Sequence, residues 1–125
     1  MSGSSYLWIG GIFNLLFFVF HIFFWKIFGW RDDLKNLKPI NRGIMQVLNL
    51  CLMFCFLIFA YISFFRVTDM LTTCLGKSLA LGIAAFWIFR AILQFIFFSR
   101  TKLVSYIFFF VFLIGGWLYL MAWLG

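Results

Sequence analysis

The chain has 125 residues, of which 66% are hydrophobic and only 10% charged, with a formal net charge of +7. A soluble domain of this size must still cover itself with polar groups, so this composition excludes one, and Phe runs such as Phe108-Phe109-Phe110 fit lipid rather than water. The basic balance reads as topology and anionic headgroups rather than nucleic acid, since no basic helix with stacking aromatics stands outside the apolar segments.

Four apolar stretches predict an all-α, compact four-transmembrane-helix bundle: one membrane domain over 1–125, with spans at about 6–28, 41–65, 75–98 and 103–123. Met1 to Ser5 reads as a short polar tail. The first span is too long for a cleavable signal peptide, and no positive charge precedes it. Its strongly polar residues are Asn14, His21 and Lys26. Asn14 and His21 stand seven apart on one helical face, with Asn14 fitted to a helix–helix hydrogen bond. Trp30 to Ile40 forms a charged loop in which Asp32 or Asp33 can cap a short turn. Pro39 then ends that turn, and Asn41 is the expected N-cap of span two.

Span two opens with Arg42, Gln46 and Asn49 on one face before turning almost wholly apolar. Residues 66–73 read as a loop, with Thr72 or Thr73 capping span three. Gly76, Ala80 and Ala84 form a small-residue ridge for close helix approach, followed by Trp87, Arg90 and Gln94 on a common face. Ser99-Arg100-Thr101-Lys102 is a tight basic turn. Span four carries no charge, and Gly115-Gly116 suggests another close contact.

Lys26, Arg31, Lys35, Lys38 and Arg42 flank the first loop and Arg100 and Lys102 the third, against Arg66 and Lys77 near the second. The positive-inside rule therefore puts loops 29–40 and 99–102 in the cytoplasm and both termini outside a cell membrane crossed four times.

At about 1.5 Å per residue, His21 lies about 10 Å from the cytoplasmic end, and Asn49 and Arg90 about 12 Å. Gln46 and Gln94 are one turn nearer. The expected site is thus a cationic polar pocket of Arg90, Asn49, Gln46, Gln94 and His21. Trp87 is either a core aromatic or a cation–π shelf under Arg90, and Arg42 is either a ligand contact or a snorkelling interfacial charge. No Asp or Glu in any span neutralises Arg90, so its expected partners are Gln46, Asn49 and His21, backbone, water or an external anion.

Three readings follow from that cluster. Recognition or carriage of an anionic lipid or small organic anion is the first. The second is a structural subunit whose polar cluster only fixes helix packing, docked against membrane lipids, a second copy or a membrane protein partner. The third is an intramembrane enzyme with His21 as general base and Arg90 as anion stabiliser. A single histidine and no span carboxylate exclude a Ser-His-Asp triad and a multi-His metal site within the spans, and one His cannot hold a bis-histidine haem. No cofactor, metal or nucleic-acid partner is expected. Cys51, Cys55 and Cys74 have neither redox nor zinc spacing and read as small hydrophobes.

Overall fold

The computed structural model describes residues 2–98 and 101–125; Ser99 and Arg100 of the expected third turn lie outside the described residues. The described residues form α1 (Gly3–Ile22), α2 (Phe24–Ile27), α3 (Trp30–Asp33), a 3-10 turn (Leu34–Asn36), α4 (Pro39–Phe65), α5 (Val67–Thr72), α6 (Cys74–Phe97) and α7 (Leu103–Leu124). Four of these helices, α1, α4, α6 and α7, are long and apolar enough to cross a membrane.

The helix ends depart from the expected boundaries for local reasons. Ser2 caps α1 by accepting from the Ser5 amide at 3.3 Å, so the polar tail is the first turn of the helix. The first span then stops at Ile22 rather than residue 28. The Phe23 amide turns to the Phe20 carbonyl at 3.1 Å, and α2 starts as a separate turn. Gly29 takes φ +62°, a left-handed conformation that favours glycine, and its carbonyl receives the amides of Asp32 and Asp33. Neither aspartate makes the side-chain cap anticipated for this turn.

Pro39 starts α4 instead of ending the preceding turn. It occupies the first helical position, where its missing N–H costs nothing, so Lys38 and not Asn41 is the N-cap residue. The expected loop at 66–73 contains the short helix α5, held by Met70, which is buried. Thr73 does cap α6, accepting from the Gly76 amide at 2.9 Å.

The long helices pack in the cyclic order α4, α1, α7, α6. Glycines set the closest approaches. A side chain at Gly116 would collide with Ile88 and crowd the Ala84 carbonyl, and one at Gly115 would enter the Phe13 ring. The ridge of Gly76, Ala80 and Ala84 is buried, as expected of small residues between helices. Its first member lies against the Asp69 carbonyl of α5.

The remaining seam, between α4 and α6, is made by rings rather than by backbone approach. Phe56 stacks on Trp87 at 5.3 Å and Phe59 meets Phe86 at 5.5 Å. Trp87, at 1% exposure, is the centre of the core, with Phe13, Phe17, Phe56 and Phe112 around it. The outer surface is as apolar as the interior: Leu16, Leu50, Phe89 and Phe110 are all exposed. An apolar periphery of this extent is far beyond what a monomer exposes to water.

Candidate functional site

The polar residues expected to form one pocket fall into two groups with an aromatic wall between them. The first group lines a cleft of about 160 Å³ between α1 and α4, bounded by His21, Ile22, Trp25, Gln46, Asn49, Leu50 and Met53. His21 is positioned by its own helix. His21 Nδ1 lies 2.8 Å from the Phe17 carbonyl one turn back, and its ring stacks on Phe24 at 4.1 Å. A carbonyl can only accept, so Nδ1 carries a proton, and in the neutral imidazole Nε2 keeps its lone pair.

Asn49 comes from α4 and reaches across to α1. Its Nδ2 donates to the His21 carbonyl at 3.3 Å and points to Met53 Sδ at 3.6 Å. The opposite amide atom, Asn49 Oδ1, is buried and has no hydrogen-bond partner among the described residues. Gln46 is half-buried one turn away.

The second group joins α6 to α7. Arg90 Nη1 donates to Gln94 Oε1 at 3.1 Å, and Gln94 Nε2 donates to Ser105 Oγ at 3.3 Å. The guanidinium carbon lies 4.4 Å from the Phe112 ring centre and 5.6 Å from that of Phe98. Such contacts are worth about 0.5–2 kcal/mol, the upper end when desolvated. The ion pair between Arg66 and Asp69 involves other residues, and no carboxylate among the described residues is within 4.0 Å of Arg90.

This division corrects the expected partnership of Arg90 with Asn49, Gln46 and His21. Arg90 does not line their cleft, and its hydrogen bond goes to Gln94 on its own helix. Phe56 is 5.0 Å from His21, Phe17 is 5.3 Å from Phe112, and the rings between fill the bundle axis. Trp87 is likewise not the shelf under Arg90; Phe112 and Phe98 are. Arg42 turns back from α4 to the preceding loop, where Nε meets the Leu34 carbonyl at 3.0 Å and Nη2 the Leu37 carbonyl at 3.2 Å. It therefore ties the first loop to α4 and stands outside both groups.

A third polar group, at the end of the bundle that carries the termini, was not assembled from the sequence. Asn14 Nδ2 donates to the Gly10 carbonyl at 2.9 Å and to Tyr119 Oη at 2.7 Å, and Trp87 Nε1 donates to Asn14 Oδ1 at 3.2 Å. Ser63 Oγ is 2.7 Å from the Phe59 carbonyl and 2.6 Å from Tyr119 Oη. The protons have one consistent order. Ser63 gives its only proton to the Phe59 carbonyl, so Tyr119 donates to Ser63 and accepts from Asn14. The indole N–H and the Gly10 carbonyl fix the amide orientation at Asn14 in the same way. All four long helices contribute, and every side-chain donor is used.

The expected helix–helix bond of Asn14 is therefore present, and it has more partners than one. Tyr119 and Ser63 carried a readable signal, since each is a polar residue in an apolar run. Their distance apart in sequence gave no hint that they meet. Ser105 was missed for the same reason.

Comparison with protein-family models, curated proteins and solved structures gave no match. Among the described residues the available groups are a closed network, a cleft with no charged lining residue and an unpaired acceptor, and a guanidinium with one hydrogen bond.

Proposed function

We propose that this chain is a four-span integral membrane protein of the cell membrane. In this reading both termini lie outside, and Arg90 recognises the phosphate or carboxylate of an anionic lipid or small organic anion from the cytoplasmic leaflet. The carrying observation is the bonding of Arg90: a half-buried guanidinium over Phe112, with one hydrogen bond to the neutral Gln94 and no carboxylate within ion-pair distance among the described residues. A guanidinium has five N–H donors in a planar fork, and a carboxylate or phosphate takes two of them at once. Holding an arginine inside a bilayer costs about 2.5–3.5 kcal/mol on insertion scales, which an anion at the guanidinium offsets.

The apolar periphery and the four long helices support the membrane reading. The basic excess flanking the first and third loops supports the orientation. Single cysteines placed at Asn36 and Lys77 in a cysteine-free background test it. Labelling of position 36 by an impermeant reagent in intact cells would reverse the topology.

Native mass spectrometry of protein extracted with its lipids tests the recognition itself. Arg90→Gln is expected to lose a bound anionic lipid, and Arg90→Lys to retain part of it, because an ammonium lacks the fork. An unchanged lipid complement with a lowered melting temperature would sink the reading and favour the structural alternative. That alternative has its own observation: the Arg90–Phe112 and Gln94–Ser105 contacts tie α6 to α7, leaving outward faces for a second copy or a membrane protein partner. The enzyme reading has less support, because Arg90 does not line the cleft of His21.

A further inference from the structure

We infer that the cleft between α1 and α4 binds the hydroxyl group of an apolar alcohol, a ligand class distinct from the anion proposed for Arg90. The cleft presents acceptors. Asn49 is 7% exposed, and its Oδ1 is buried without a partner. The amide cannot be turned to cure this, because its Nδ2 already faces the His21 carbonyl, which only accepts. His21 Nε2 is a second acceptor, since Nδ1 holds the proton for the Phe17 carbonyl. Gln46 adds an amide that can both give and take a hydrogen bond.

Among the described residues, no arginine, lysine or carboxylate lines the cleft. A phosphate or carboxylate would bring lone pairs against lone pairs with no cation in the lining to hold it; Arg90 is near enough to act electrostatically on His21 but stands outside the cleft, bonded to Gln94. An ammonium would lose its hydration with no counter-charge. A neutral O–H suits both sides: its proton goes to His21 Nε2, or to Asn49 Oδ1 once a small shift of the amide opens that buried atom to the cleft, and its oxygen accepts from the Gln46 amide. Leaving a buried carbonyl oxygen unpaired costs about 1–3 kcal/mol, and that is the driving force the hydroxyl relieves. The apolar lining of Ile22, Leu50 and Met53 then receives the first carbons of the ligand. A volume of about 160 Å³ accommodates a hydroxyl with its adjoining carbons, not a whole lipid, so the tail extends outward along the helices.

The chain has one histidine, so its imidazole nitrogens are a unique reporter. The full chain, labelled with 15N-histidine, is placed in phosphatidylcholine nanodiscs and titrated with 1-dodecanol, dodecane and dodecyl phosphate. Dodecanol is expected to move the Nε2 resonance saturably toward the hydrogen-bonded position while Nδ1 stays protonated; dodecane and dodecyl phosphate leave Nε2 in place. Asn49→Leu is expected to weaken the dodecanol midpoint about tenfold, and Gln46→Leu, at a half-buried position that folding tolerates, a few-fold.

An Nε2 resonance that dodecanol does not move overturns the inference, whether the cleft is empty or filled by water. An equal response to dodecane, or a lower midpoint for dodecyl phosphate, overturns it as well. Dioctanoylglycerol and cholesterol then separate a flexible glycerol hydroxyl from a rigid-ring one, and a saturable response to either supports the site. The inference rests on the long helices lying in lipid. A chain that fails to co-elute with nanodiscs overturns that reading too, whereas an unresponsive His21 in an inserted chain overturns this one alone.

Discussion

The two ends of this bundle use similar polar side chains to opposite effect. Toward the termini, Asn14, Ser63, Tyr119 and Trp87 are buried, and each side-chain donor has an acceptor inside the protein. Toward the long loop, Asn49 keeps an oxygen unpaired, His21 keeps a lone pair, and Arg90 spends one donor on Gln94. Burial alone does not separate the two ends, since Asn49 and Gln94 are buried as well. Bonding capacity does. A closed set of partners holds helices together, and an open set is a place where something else can bind.

The largest expected effect falls on the closed end. Asn14→Leu strands the Trp87 N–H and deprives Tyr119 of its donor. At about 1–3 kcal/mol per orphaned buried group, a loss of about 3 kcal/mol is expected in a reversible detergent unfolding titration. A change below about 0.5 kcal/mol would break the comparison at its firmer end. Tyr119→Phe is the next step down. It removes one hydroxyl from between Asn14 and Ser63, with about 1–2 kcal/mol lost on the same titration.

Arg90→Gln sharpens the other side. If the proposed membrane site holds, its stability change is expected within about 1 kcal/mol, because a membrane charge is then removed along with one hydrogen bond and a cation–π contact, and co-purified anionic lipid is lost. The smallest effect belongs to Arg42→Gln. The bonds to the Leu34 and Leu37 carbonyls sit on a half-exposed loop, so less than about 1 kcal/mol is expected. Faster amide exchange confined to residues 34–38 would report the loosened loop.

What the amino-acid sequence revealed follows the same physics. Four apolar stretches, the small-residue ridge on α6 and the glycine pair on α7 were legible, because span length and residue volume are local properties. The break at Phe23 was not, since a run of Phe and Ile continues unchanged across it and no Gly or Pro marks the place. Pro39 was placed on the wrong side of a boundary because proline both stops one helix and suits the first turn of the next.

The candidate site shows a different limit. Counting residues from the helix ends put His21, Asn49 and Arg90 in one layer, but depth does not determine how each helix is rotated about its axis. That rotation is set by Phe17, Phe56 and Phe112 filling the centre, and it turns Arg90 toward α7 and Asn49 toward α1. In the same way, Tyr119 could be read as polar, but not as the partner of a residue 105 positions earlier.

That long separation bears on how the protein is made. Tyr119 is synthesised after every other member of the buried network, so Asn14 waits through the emergence of α4, α5 and α6, and Ser63 through that of α5 and α6, for the group that joins them. Until α7 docks, Asn14 and Ser63 lack the hydroxyl that links them. The phenol thus closes the network last: its arrival gives Asn14 and Ser63 their shared partner. Pulse-chase proteolysis of nascent chains halted before and after Tyr119 would reveal it as a late, abrupt gain of protection, and a gradual gain with each added helix would argue against it.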